Sequence, residues 1–382
     1  MSAPDDFFNN TQRLASKIKT DIITKYFKAW LDIMVSRSPG GRVGYVDLFC
    51  GPGQFQDEAG DVFPSTPLKI LDQMQSDPAL TRALSVHFND AKSEYTRQLE
   101  QTLSGHPAWP DVAQRVTITT QSMTAAALRS HVLPYPALYF LDPFGYGGFS
   151  LDDVNAVVRQ RGNDLLFFFN YNRFNPELSH PNDIVRRQPV TLLGEASYNA
   201  LQNALAGQQT PMTRKQIITD HLWRQLELGG IPQHYVVPFE FKFSDRDRTS
   251  HFLVFVSKNT VARKIIREVM AGLRTDRAGG SFEFNPHDPA FDPENREQGL
   301  FSNHFALGDE LVRMFSGQCL SVTQIISRHD LACPRSPYIG KDYKTVLKQL
   351  RQEGALSAIR PGGKAVALHQ MPDDALVTFL PG

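Results

Sequence analysis

The sequence predicts an α/β fold: a mostly parallel sheet closed by an antiparallel hairpin, followed by a small helical unit. Three observations carry this. Short apolar runs alternate with helix-periodic stretches from residue 43 to residue 170, the pattern of successive βαβ units. Two further apolar runs, Tyr235–Phe241 and His251–Val256, flank a polar turn at Ser244–Arg248 and read as a hairpin. Beyond a stretch rich in Gly, Pro, Asp and Asn, the last part reads as three short helices and a hairpin.

The elements follow in order. Residues 12–35 carry Leu14, Ile18, Ile22, Tyr26, Trp30 and Ile33 at helical spacing, with Lys17, Lys28 and Asp32 on other faces. This reads as an outer helix covering the sheet. Ser38-Pro39-Gly40-Gly41 ends it, and a strand at 43–49 runs into Gly51-Pro52-Gly53. A polar loop (Gln54–Gly60) and a helix opened by Ser65-Thr66-Pro67 come next. Further strands are expected at Leu84–Asp90, Val116–Thr119, Ala137–Leu141 and Leu165–Asn170, the last apolar throughout as a doubly covered strand would be. Helices are expected at 93–103, 125–130, 183–205, 213–228 and 261–273. The expected division is 1–277 for the α/β domain, 278–300 for a linker and 301–382 for a winged helix.

Composition narrows the function classes. The 382 residues are 41% hydrophobic and 21% charged, with 40 basic and 40 acidic side chains. Such a chain can bury a core, and balanced charge leaves any nucleic-acid contact to a local patch. Cys50, Cys319 and Cys333 are too few and too scattered for a disulfide framework or a zinc site, so no metal is expected. No signal-peptide pattern and no membrane span is read, which points to a cytoplasmic protein without membrane contact.

Two strand ends carry the chemistry. Asp47 ends the first strand beside Phe49, Gly51 and Gly53, and Asn89-Asp90 ends the second. Glycine lets backbone approach a ligand closely, and an acid ending the second strand can accept hydrogen bonds from ribose hydroxyls. No Gly-Lys-Ser/Thr follows, so this is no P-loop, and position 56 is Gln where a dinucleotide pattern has its third glycine. Asp47 would repel a pyrophosphate and attract the sulfonium and ammonium of S-adenosyl-L-methionine, which favours that cofactor over NAD. The fourth strand ends in Asp142-Pro143-Phe144-Gly145-Tyr146. A carboxylate and the Pro143 carbonyl can accept both hydrogens of an exocyclic amine, while Phe144 or Tyr146 stacks on its ring. A base within a duplex would have to be flipped out to reach them. Cys50, with no base near it in sequence, reads as a small buried residue.

In the last unit, Lys341, Lys344, Lys348 and Arg351 fall within an arc of about 80° on one helix, opposite Val346, Leu347 and Leu350. Arg360 and Lys364 flank the expected hairpin tip Pro361-Gly362-Gly363. One basic and one apolar face suit a recognition helix on DNA or RNA. Arg186-Arg187 and Arg214-Lys215 are further candidates for phosphate contacts.

Lys19-Thr20-Asp21-Ile22 with Tyr26 and Trp30, Tyr45-Val46-Asp47 to Gly53, Ser65-Thr66-Pro67-Leu68 and Asp142-Pro143-Phe144-Gly145 together resemble the three-Cys-motif partner proteins. The resemblance covers most of the chain. It implies a Rossmann-like methyltransferase sheet with a C-terminal winged helix. It also implies pairing with a separate protein carrying a three-cysteine motif of the radical iron–sulfur type. Two readings therefore stand: a methyltransferase acting on a nucleobase amine, and a non-catalytic nucleic-acid-binding partner. Methylation of a protein or small molecule stays open, because fold does not fix substrate.

Overall fold

The computed structural model describes residues 4–56, 62–143, 148–207, 210–229, 234–243, 248–275, 282–285 and 302–380. The chain divides into two compact units, Met1–Val269 and Met270–Gly382.

The first unit opens with α1 (Pro4–Arg37), β1 (Val43–Asp47), β2 (Gln54–Gln56), β3 (Val62–Pro64) and α2 (Thr66–Ser76). Next come α3 (Pro78–Thr81), β4 (Leu84–Asp90), α4 (Ser93–Ser104), α5 (Trp109–Val112), β5 (Val116–Thr120) and α6 (Ala125–Ser130). Then follow β6 (Ala137–Leu141), α7 (Leu151–Arg159), β7 (Asp164–Phe169), α8 (Tyr171–Glu177), α9 (Asp183–Leu193) and α10 (Glu195–Ala204). Helix α11 (Pro211–Glu227), the hairpin β8 (Tyr235–Lys242) and β9 (Thr249–Ser257), and α12 (Thr260–Ala271) complete the series.

The strands of this unit lie in the order β8-β9-β7-β6-β1-β4-β5. From β5 to β7 every neighbouring pair is parallel, and β9 runs antiparallel to both β7 and β8. This is a mixed α/β, Rossmann-like sheet, wound outward in both directions from β1. Every residue of β1 and of β6 is buried, which is why both read as unbroken apolar runs. The chain steps from β1 to β4 on one side and from β6 to β7 on the other. The topological switch point therefore lies between β1 and β6, where open α/β sheets open a crevice beyond their carboxyl ends.

Helix α1 is longer than its periodicity announced, and it is a core element. Ile22, Ile23, Phe27 and Trp30 are buried on its inner face, each contributing roughly 1.5–3 kcal/mol of burial. The Tyr26 hydroxyl donates to Asp164 Oδ2 at 2.6 Å, and its ring meets Phe255 edge-on at 4.8 Å. Burial pushes both groups up, the Tyr26 phenol and the Asp164 carboxyl, so the proton between them is held firmly.

Two expectations are corrected here. The segment after Gly53 begins as a two-stranded ribbon, β2 against β3, where a polar loop was expected. Three-residue strands with an exposed second strand carry too little periodicity to announce themselves. In the second unit the strand after Leu356 does not return at 364–369. It pairs with Leu376–Phe379, and only an isolated bridge joins Ile359 to Ala365. The tips at 144–147 and 244–247, and most of the expected linker, lie outside the described residues.

The second unit contains β10 (Glu283–Phe284), α13 (Ser302–Phe315), β11 (Cys319–Ser321), α14 (Val322–Ala332), α15 (Gly340–Gln352), β12 (Leu356–Ile359) and β13 (Leu376–Phe379). Strands β11, β13 and β12 form an antiparallel sheet in that order. The three helices close on a separate core that includes Leu307, Leu311, Val346, Leu347, Val377 and Phe379.

Candidate active site

The first half of the site is the turn that follows β1. Gly51 and Gly53 take φ of +64° and +86°, the left-handed region that glycine occupies without penalty. A Cβ on Gly51 would meet nothing within 4 Å, whereas one on Gly53 would press on Leu99 at 2.8 Å. Gly53 is therefore a packing glycine, and Gly51 faces open space where a ligand can approach the backbone. The Gly51 N–H donates to Asp90 Oδ2 at 3.2 Å and the Lys92 N–H to Asp90 Oδ1 at 2.9 Å. Each oxygen keeps a lone pair for a further donor.

Asp47 is buried and accepts the Phe49 N–H at 3.1 Å. Burial pushes its carboxyl up to about 8; the Phe49 N–H and Lys19 oppose this, and the Asp142 and Asp90 charges add to it. Phe49 itself is half-buried and packs against Phe149 at 6.3 Å. Burial and the Asp47 and Asp90 charges push the Cys50 thiol far up, so it stays protonated and is no nucleophile. Ser65 donates its N–H to the Gly53 carbonyl at 3.0 Å. Its buried hydroxyl has no hydrogen-bond partner among the described residues, an orphan beside the turn that a ligand would satisfy.

Asn89 ends β4 beside Asp90 and is held on its side chain by three hydrogen bonds. Its Nδ2 donates to the Leu48 carbonyl at 3.2 Å and the Gln121 carbonyl at 2.9 Å, and its Oδ1 accepts from Thr119 at 2.9 Å. A buried amide so engaged ties the ends of β1, β4 and β5 together. It braces the turn.

The second half lies across the switch point. Asp47 pairs in register with Phe140 of β6, so Asp142 emerges two residues beyond it on the neighbouring strand. Lys19 donates to Asp142 Oδ2 at 2.6 Å, and its Nζ sits 4.7 Å from the Phe168 ring centroid. His251 of β9 lies 4.3 Å from Phe168 and stacks on Phe241 of β8 at 4.6 Å. Burial, with the Lys19 charge, pushes His251 down to about 3, so it is a neutral ring. The structure thus adds Lys19, Phe168 and His251 to the expected Asp142 and the buried Pro143. Phe144 and Tyr146 lie outside the described residues. A signal for Lys19 was present: at 100° per residue it falls about 20° from Tyr26 on the helix, on the face that meets the sheet.

The residues given to nucleic acid divide differently. In the second unit Arg351 donates to the Val366 and Ala367 carbonyls at 2.7 and 3.3 Å, and Arg360 to Gln370 at 3.2 Å. Lys344 pairs with Asp373 at 2.9 Å. Lys341 and Lys364 are exposed and Lys348 half-buried. In the first unit Arg214 is tied to Asn175 and Ser179, and Lys215 to Glu240 at 2.8 Å. Arg186 bonds the His180 carbonyl and Asp183.

By sequence the chain matches no family profile and no curated protein. Three solved structures show how remote its structural likenesses are. A protein of Legionella pneumophila aligns at 9% identity over 70% of this chain and 94% of its own, with a TM-score of 0.39. The methyltransferase domain of bacterial CtHen1-C aligns at 9% identity over 62% and 98%, at 0.30. The glycopeptide N-methyltransferase MtfA in complex with S-adenosyl-L-methionine aligns at 10% identity over 61% and 87%, at 0.29. The fold is accordingly read from the strand order, and the site from its own residues. Among the described residues no helix is long and apolar enough to cross a membrane.

Proposed function

We propose that the protein is an S-adenosyl-L-methionine-dependent methyltransferase acting on an exocyclic amine of a nucleobase in DNA or RNA. The observation that carries this reading is the pair Asp47 and Asp142 on either side of the β1/β6 switch point, next to the open turn at Gly51. The residues fit the cofactor. Asp90 would accept the ribose hydroxyls, Asp47 would give up its proton as the ammonium's charge arrives beside it, and Gly51 would let the nucleoside lie against backbone. The cofactor supplies the methyl group. Asp142 would accept a hydrogen of the amine and turn its lone pair toward that methyl, with the Pro143 carbonyl as second acceptor. Phe168 and His251 would offer a ring surface beside it, a contact worth about 1–3 kcal/mol per base in single-strand binders.

The second unit would serve as a winged helix, with Lys341, Lys348 and Lys364 meeting phosphate. The ion pair between Lys19 and Asp142 favours a second reading, because an ammonium already occupies the carboxylate. In it the protein is a non-catalytic nucleic-acid-binding partner of a three-cysteine-motif protein. Calorimetric titration with S-adenosyl-L-methionine and S-adenosylhomocysteine separates the two. Micromolar binding that is lost in Asp90→Ala is expected; a folded protein that binds neither refutes the enzyme reading.

A further inference from the structure

The second unit holds a cluster outside the site described above. Glu310 of α13, His329 of α14 and Cys333, just past the end of α14, bring one ligand atom each to within 4.8 Å of one another. Two of these donors come from the end of α14 and the third from α13. His329 and Cys333 stand four residues apart, on one face of a helix that extends to the Cys333 N–H, which donates to the His329 carbonyl at 2.7 Å. Glu310 reaches across from α13, with Oε2 3.0 Å from His329 Nε2.

We propose that Glu310, His329 and Cys333 form a zinc site, with water in the fourth position. Tetrahedral zinc with bonds of about 2.0–2.3 Å places its ligand atoms about 3.3–3.6 Å apart. His329 Nε2 and Glu310 Oε2 are already 3.0 Å apart, and the three ligand atoms all lie within 4.8 Å of one another. The second shell is in place. His329 is fully buried, and its Nδ1 lies 2.9 Å from the Tyr343 hydroxyl, which in turn points at Asp330 Oδ1 at 3.5 Å. With Nδ1–H donating to Tyr343, the Nε2 lone pair faces Glu310 and Cys333. That is the orientation a metal-binding histidine takes from its outer partner.

Zinc would bind the Nε2 lone pair and release the thiol proton of Cys333 to solvent, so that thiolate and carboxylate balance its two charges. A sulfur, nitrogen and oxygen donor set suits zinc and disfavours magnesium or calcium, which take oxygen ligands. The bound ion would pin α13 to the end of α14. Counting cysteines missed this cluster, because two of its three donors are not cysteines and Glu310 lies on another helix.

The test uses the full-length, tag-free, chelator-stripped protein titrated with Co²⁺. One equivalent should produce a near-ultraviolet thiolate-to-cobalt charge-transfer band and the visible bands of a tetrahedral ion, both displaced by Zn²⁺. Cys333→Ser should abolish the charge-transfer band, Glu310→Gln should weaken binding at least tenfold, and Cys319→Ser should change neither. Alkylation gives a second measurement that needs no variant: stoichiometric Zn²⁺ should slow iodoacetamide labelling of Cys333 in the unaltered protein at least tenfold. Absence of the band, its persistence in Cys333→Ser, or unchanged labelling of Cys333 would overturn the proposal.

Discussion

The two halves of the crevice are built by opposite means. On the β1–β4 side, both oxygens of Asp90 are held by backbone N–H groups of nearby turns, and Asn89 locks the strand ends with its amide. On the β6 side, Asp142 is held by a lysine 123 residues away, on a helix laid across the sheet. Backbone donors have fixed positions and no side-chain entropy to lose, whereas a lysine ammonium is a point charge on a flexible stem. The first half is therefore a rigid cradle suited to a constant ligand. The second is a charge balance between one carboxylate and one flexible ammonium.

The largest expected effect breaks the second half alone. Asp142→Ala should lower methyl transfer to a mixed nucleic-acid substrate by about 10²–10⁴, the range of a lost general acid–base group, while calorimetric cofactor affinity stays within threefold. Breaking the first half should do the reverse. Gly51→Val forces a β-branched residue to φ +64°, a strain on the order of 1–3 kcal/mol. It also fills the open space over the turn, so cofactor binding should fall about 100-fold. The strain should also lower the thermal midpoint, although a Cβ there meets no protein atom within 4 Å, so binding is measured well below that midpoint.

A third experiment sharpens the link between the halves through pH. The folded protein holds Asp47 up at about 8 against an ordinary 3.8, so between those values it binds more proton than the unfolded chain. Asp47 thus contributes stability below about pH 4 that is lost as pH rises through about 8, on the order of 1 kcal/mol per pH unit at most. Urea unfolding from pH 5 to 9 should show this slope in the unaltered protein and a flatter one in Asp47→Asn. Lys19→Met removes the cation that opposes the rise, so its slope should extend to higher pH. The smallest effect concerns the second unit: Lys341→Gln should weaken nucleic-acid binding uniformly across sequences. It should also reduce the slope of log affinity against log salt by about one.

Much of the scaffold was legible because its causes are local. Strand β6 falls on the apolar run that marked it, Ala137–Leu141, because both its faces are buried and admit no polar interruption. Strand β4 falls on Leu84–Asp90, where buried Leu84, Val86 and Phe88 alternate with half-buried Ser85 and His87 at the period of a strand. The glycine turn was legible for the same reason: a positive φ is a property of one residue. The extra ribbon β2–β3 and the return of β12 to Leu376–Phe379 were not, because short strands are fixed by their partners rather than by their own pattern.

What the sequence by itself determined is the order of strands and turns, and with it the carboxylates that end β1, β4 and β6. Only the tertiary structure decided which partners those groups have. It set Lys19 on Asp142, engaged the Asn89 amide with Leu48, Thr119 and Gln121, buried Asp47 within reach of the Asp90 and Asp142 charges, and drew Glu310, His329 and Cys333 together. Backbone geometry is dictated by neighbours along the chain. The charge state and hydrogen bonding of a side chain depend on groups brought close by folding, and no spacing in the sequence encodes those distances.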